Sequence, residues 1–130
     1  MSGSESLDYL FSLEQHGIKL GLENIQTLCA ALGHPEKTFK SVIVAGTNGK
    51  GSVAAIIETA LRANDLQTGR YTSPHLVRLE ERFCVNGKQI THSVFSDLIL
   101  ELKEVITNLQ ESGQLQTPPT FFEVTTAIAF

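Results

Sequence analysis

The chain has little of what would mark several common classes of protein. Its two cysteines, Cys29 and Cys84, are not spaced as a redox or zinc pair. Cys29 falls on the apolar series Leu22, Ile25, Cys29, Leu32, where core packing is its expected role. Acidic residues outnumber basic ones, 14 against 10, for a net charge of -4, so there is no basic footprint for nucleic acid. No apolar run approaches the ~20 residues that would span a bilayer. The opening Met1-Ser2-Gly3-Ser4-Glu5-Ser6 lacks the basic and apolar regions of a secretory signal. Low-complexity stretches, internal repeats and linkers are also missing. With 42% hydrophobic and 18% charged residues in 130, the expectation is one globular, cytoplasmic domain that binds neither nucleic acid nor membrane.

Against that background one stretch stands out. Val42, Ile43 and Val44 are three β-branched residues in a row, suited to a strand covered on both faces. They lead into Ala45-Gly46-Thr47-Asn48-Gly49-Lys50-Gly51-Ser52, where Gly46 and Gly49 permit a sharp turn. Val53, Ile56, Ile57, Ala60 and Leu61 follow at helical spacing, predicting a helix whose apolar stripe faces a sheet. A helix opening directly after such a loop presents unpaired N–H groups and roughly half a positive charge to the bend, which favours a di- or triphosphate. Lys50 adds a full charge, and Ser52 a hydroxyl for a phosphate oxygen or Mg²⁺. The generic P-loop pattern is nevertheless missed: Val44 stands where its first glycine belongs and Gly51 where its Ser or Thr belongs.

Around this loop the spacing predicts helices over 5–15 and 22–32, the first ended by Gly17 and the second by Gly33 and Pro35. Between them His16 to Gly21 reads as a loop. Residues 67–73 have strand character up to Pro74, so strand, helix and strand predict a parallel βαβ unit with ligands at the strands' carboxyl ends. This puts Ser73 beside the glycine loop, as either a metal-reaching hydroxyl or an ordinary Ser-Pro turn. A hairpin is predicted over 81–90 about Asn86-Gly87. An amphipathic helix follows over 93–111, with Phe95, Leu98, Leu102, Val105 and Leu109 inward, and Gly113 and Pro118-Pro119 separate it from a last helix.

In that last segment Phe121, Phe122, Val124, Ile128 and Phe130 would each gain roughly 1.5–3 kcal/mol on burial, a sum rivalling the roughly 5–15 kcal/mol net stability of a domain. The segment stops on Phe130 without a C-cap glycine or polar tail, so the chain is expected to be the front of a longer protein. Glu123 is its only charged residue. It lies three positions after Thr120, the spacing of a capping box, yet a lone carboxylate among apolar residues is also a candidate Mg²⁺ ligand.

Four strings, Gly46-Thr47-Asn48-Gly49-Lys50-Gly51-Ser52, Tyr71-Thr72-Ser73-Pro74-His75-Leu76, Gly17-Ile18-Lys19-Leu20-Gly21-Leu22-Glu23-Asn24-Ile25 and Phe121-Phe122-Glu123-Val124-Thr125-Thr126-Ala127, together resemble folylpolyglutamate synthase and its bifunctional dihydrofolate synthase relatives in the Mur ligase superfamily. The resemblance implies an α/β, P-loop NTPase-like three-layer domain with a parallel sheet, of the Mur ligase central-domain type. Residues 1–130 would be its N-terminal part, lacking the remaining strands and the C-terminal glutamate-binding domain. It also implies an ATP-dependent ligase acting on a folate or dihydropteroate and L-glutamate, with ATP and Mg²⁺ as cofactors and a monomeric parent. Thr47, Asn48, Gly49, Lys50, Gly51 and Ser52 match the family's ATP phosphate loop, with Lys50 catalytic. Ser73 and Glu123 match metal ligands, and Lys19, Leu20 and Gly21 match a loop near the pteroate moiety. His75 receives no ligand role. The family's histidine ligand and modified lysine would lie past residue 130, so this segment alone is expected to be inactive. The alternative is a P-loop nucleotide-binding module without ligase activity.

Overall fold

A computed structural model describes residues 3–17 and 20–130, which form two compact units. One consists of the chain up to Lys40 together with Ser93–Ile128 and Phe130; the other comprises Ser41–His92 with Ala129.

The first unit is helical. Helix α1 spans Gly3–Ser12 and tightens into a 3-10 turn, Leu13–His16, where Gly17 at φ 65° stops it. Helix α2, Glu23–Ala31, ends at Leu32 and Gly33, whose φ of 82° lets the His34 N–H reach back to the Cys29 carbonyl at 2.7 Å. Later in the sequence, after the second unit, come helices α4, His92–Glu111, and α5, Phe121–Ala129. The core contains Leu10, Leu28, Phe95, Ile99 and Val124, each fully buried. Ser6 donates to Ser96 at 3.2 Å between α1 and α4, and Phe11 stacks on Phe121 with centroids 6.1 Å apart. Cys29 is buried, as its place in the apolar series predicts, and burial, aided by Glu36, pushes its thiol up to about 11.

The expected phase of α4 is only partly right. Phe95, Leu102 and Leu109 are buried, but Ile99 and Ile106 complete the inward stripe and Leu98 and Val105 stand half-buried beside it. The series 95, 99, 102, 106, 109 alternates steps of four and three residues, which keeps one side of a 3.6-residue helix facing the core. In α5 and its C-cap, Val124 and Ile128 are buried as expected, whereas Phe122 is 60% and the capping Phe130 40% exposed.

In the second unit, helix α3 spans Lys50–Ala63 and an antiparallel sheet follows: β1, Gly69–Tyr71; β2, Phe83–Val85; β3, Lys88–Gln89. Arg70 pairs with Cys84 and Val85 with Lys88. Asn86 and Gly87, at φ 50° and 79°, make the predicted left-handed hairpin turn. Buried Glu58 of α3 accepts from Arg62 Nε and Thr68 Oγ1, both at 2.6 Å, tying the helix to the approach to β1. These bonds hold its carboxyl below the usual glutamate range.

The parallel βαβ unit is not present among the described residues. Residues 41–45 form no strand, Val42 and Ile43 are 67% and 91% exposed, and β1 pairs antiparallel with β2. The α3 stripe also lacks a covering sheet: Val53 and Ile56 are 44% and 68% exposed. The physical reason is shared. A buried parallel strand needs neighbours on both edges and layers on both faces, and no described strand runs alongside residues 42–44.

Candidate functional site

The glycine loop forms as the spacing predicts. Gly46 has φ 152° and Gly49, the N-cap of α3, φ 75°, values that favour glycine, and the space around both is open. The first bond closing α3 runs from the Val53 N–H to the Gly49 carbonyl at 3.0 Å, so the amides of Lys50, Gly51 and Ser52 precede the helical ladder and form its anion-attracting end. Lys50 folds back across the loop, its Nζ donating to the Gly46 carbonyl at 2.6 Å. Thr47, Asn48, Lys50 and Ser52 are all exposed. The result is an accessible turn of backbone with an ammonium folded onto it, a set of groups suited to a phosphate chain. Ser73, also exposed, lies two residues past the carboxyl end of β1 in the same unit.

Glu123 belongs to the other unit, where the capping box is real. Its N–H donates to Thr120 Oγ1 at 3.2 Å, while its Oε1 accepts from the Thr120 N–H and hydroxyl, each at 3.0 Å. That accounts for one carboxylate oxygen. Oε2 is buried and has no hydrogen-bond partner among the described residues. A buried carboxylate oxygen without a donor is costly, and the hard oxygen ligand preferred by Mg²⁺ is what such an atom supplies. The two readings of Glu123 are therefore compatible, one oxygen for each.

Glu123 also lines a cavity of about 280 Å³ with Gly21, Leu22, Ile25, Thr120, Phe122 and Thr126. The buried Thr126 Oγ1 likewise lacks a partner among the described residues. Gly21 of the expected acceptor loop is thus at the cavity wall; Leu20 is 91% exposed, and Lys19 lies outside the described residues. Sequence reading missed Leu22, Ile25, Phe122 and Thr126 as wall residues, because it assigned the apolar ones to the core. A signal was available in Phe121-Phe122: both cannot face one side of a helix, so one was bound to point away from the core.

No family model matches the chain. It is 40% identical over 114 residues to the dihydrofolate synthase/folylpolyglutamate synthase of Bacillus subtilis, covering 88% of this chain and 26% of that protein. It is 38% identical over 129 residues to a probable bifunctional folylpolyglutamate synthase/dihydropteroate synthase of Haloferax volcanii, covering 99% of this chain and 15% of that protein. Among solved structures, the Mycobacterium tuberculosis folylpolyglutamate synthase complexed with ADP and AMPPCP aligns at TM-score 0.85 and 32% identity, over 98% of this chain and 28% of that one. In sequence and in fold, therefore, the chain belongs with the folylpolyglutamate and dihydrofolate synthases, as a segment spanning 15% to 28% of the relatives described.

Proposed function

We propose that the protein carrying this segment is an ATP-dependent ligase joining L-glutamate to the carboxylate of a folate or dihydropteroate. The observation that carries the proposal is the buried Oε2 of Glu123, without a hydrogen-bond partner among the described residues, at the wall of an apolar cavity. A nucleotide-binding switch needs the phosphate loop but has no use for that carboxylate beside an apolar cavity.

In this reading Lys50 and the opening amides of α3 hold the γ-phosphate and neutralise its charge, which is most of what catalysis of phosphoryl transfer requires. The γ-phosphoryl group moves from ATP to an acceptor carboxylate oxygen, releasing ADP and leaving an acyl phosphate. The glutamate amine then attacks the acyl carbon, loses a proton and expels phosphate as the amide forms. Ser73 and Glu123 are the proposed Mg²⁺ ligands, and the ion when bound supplies charge neutralisation on the phosphates. Gly21, Leu22, Ile25 and Phe122 line the acceptor's side. The segment alone is taken to be inactive, and the parent to be a cytoplasmic monomer.

The test uses full-length protein, offered dihydropteroate and a folate in separate reactions with ATP and labelled glutamate. Lys50→Ala should cut ATP-dependent incorporation at least about a hundredfold, the scale of losing one preorganised charge-stabilising donor. Because Lys50 is exposed, its loss should change stability by no more than about 0.5 kcal/mol. Near-normal turnover in Lys50→Ala would overturn the phosphate role.

A further inference from the structure

The residues after Ser73 are held in an unusual way. Leu76 and Val77 are 94% and 82% exposed, so burial of apolar side chains does not order this loop. Two adjacent side chains do. Glu81, in the 3-10 turn Leu79–Arg82, accepts three consecutive backbone N–H groups: Leu76 at Oε1, 2.9 Å, and Val77 and Arg78 at Oε2, 3.0 and 2.7 Å. Its own N–H donates to the Arg78 carbonyl at 3.1 Å. Arg82 Nε donates to His75 Nδ1 at 2.9 Å, and the Arg82 carbonyl accepts the Thr72 N–H at 3.0 Å. Ser73 is therefore bracketed, with Thr72 before it and His75 after it tied to the same arginine.

Hydrogen bonds to an ionised group are shorter and about twice as strong as neutral ones, so a carboxylate with three N–H donors is a firm anchor for a loop with no core of its own. The donated bonds, those from Arg78 and Leu76 foremost, hold the Glu81 carboxyl below the usual glutamate range, so it stays ionised through the neutral range. His75, accepting at Nδ1, must carry its proton on Nε2 when neutral.

We propose that Glu81 and Arg82 are positioning residues for the Ser73 hydroxyl, fixing the Ser73–Arg78 loop in the shape that lets this hydroxyl serve the metal. The inference rests on the proposed metal role of Ser73 and adds the residues through which that role is maintained. Outer partners of metal ligands typically matter by 10- to 100-fold in metal affinity or activity.

Two measurements on full-length protein test it. In the metal-free enzyme, Glu81→Gln should speed amide hydrogen exchange at residues 76–78 by about tenfold or more, since a neutral amide offers one acceptor oxygen where the carboxylate used two. In the assay, the Mg²⁺ concentration for half-maximal rate should rise roughly tenfold while the rate at saturating Mg²⁺ recovers. In a Ser73→Ala background the same substitution should shift the Mg²⁺ midpoint no further, the non-additivity expected of residues acting as one unit. Arg82→Leu carries the same test should Glu81→Gln fold poorly. An unchanged Mg²⁺ midpoint in Glu81→Gln, or a shift that adds fully to that of Ser73→Ala, would overturn the inference while leaving Ser73 a ligand. A normal Mg²⁺ midpoint in Ser73→Ala removes the metal role of Ser73 and the inference with it. Continued glutamate incorporation would then show that the ligase reading survives.

Discussion

Glu123 divides its two oxygens between structure and proposed chemistry, and that division can be tested by substitution. Glutamine at the third position of a helix completes a capping box as glutamate does, so Glu123→Gln should retain the bond from the Thr120 N–H and change stability by no more than about 0.5 kcal/mol. It removes the negative charge that would hold a divalent cation, so the Mg²⁺ needed for half-maximal ligation by the full-length protein should rise at least about tenfold. Thermal unfolding and Mg²⁺ titration read the two effects separately. A large loss of stability with normal Mg²⁺ dependence would leave only the capping role. The sequence exposed both roles, because Thr-x-x-Glu spacing and isolation among apolar residues are each visible in the string. It could not show that the roles fall on different oxygens, a matter of side-chain geometry.

Single elements were legible where local rules decide them and less so where packing does. The glycine stops of α2 and α4, the Asn86-Gly87 turn and the start of α3 are fixed by backbone preference and were predicted. The face that α4 buries depends on where neighbouring helices press, and apolar residues at both 98 and 99 left the phase ambiguous. The structure resolves it in a way mutation can check: Ile99→Ala should cost about 2–5 kcal/mol, and Leu98→Ala, at a half-buried position, clearly less. Equal costs measured by denaturant unfolding would contradict the observed phase. The turn carrying Glu80 and Glu81 adds a pH dependence. Burial raises the Glu80 carboxyl, but the bond from His92 at 2.7 Å and further hydrogen bonding and charges outweigh it, so the net shift is downward; Glu81 is lowered by its backbone donors. Carboxyls depressed in the folded state stabilise it fully above the ordinary glutamate value of about 4.3, and that contribution is lost as pH falls through the lower folded values. Acid unfolding should accordingly flatten below the ordinary glutamate range in a Glu80→Gln, Glu81→Gln double variant relative to the parent. Parallel acid limbs would show that the two carboxylates contribute nothing there.

At the scale of the whole molecule, the parallel sheet was the expectation least realised, and what replaces it is informative. Val42, Ile43, Val53 and Ile56 are apolar by sequence, lie next to the glycine loop in the chain, and remain exposed among the described residues. The expected burial of the β-branched run and of the helical stripe is not realised among the described residues, where no strand or sheet covers them. The chain spans only 15% and 26% of the Haloferax and Bacillus relatives, so most of a protein of this kind lies outside it. Exposed apolar surface of this extent drives association in water. The isolated segment should therefore bind an apolar dye and self-associate with rising concentration, and Ile43→Lys with Ile56→Lys should suppress both without lowering its stability by more than about 0.5 kcal/mol, the usual range for surface changes. In the full-length protein the same pair should be strongly destabilising, by several kcal/mol, because burying an unpaired charge costs far more than exposing one. Light scattering on the segment and denaturant unfolding of both forms measure the contrast. Equal tolerance in both would mean that residues 42–44 and the α3 stripe stay uncovered in the longer protein, and that the glycine loop has no sheet behind it.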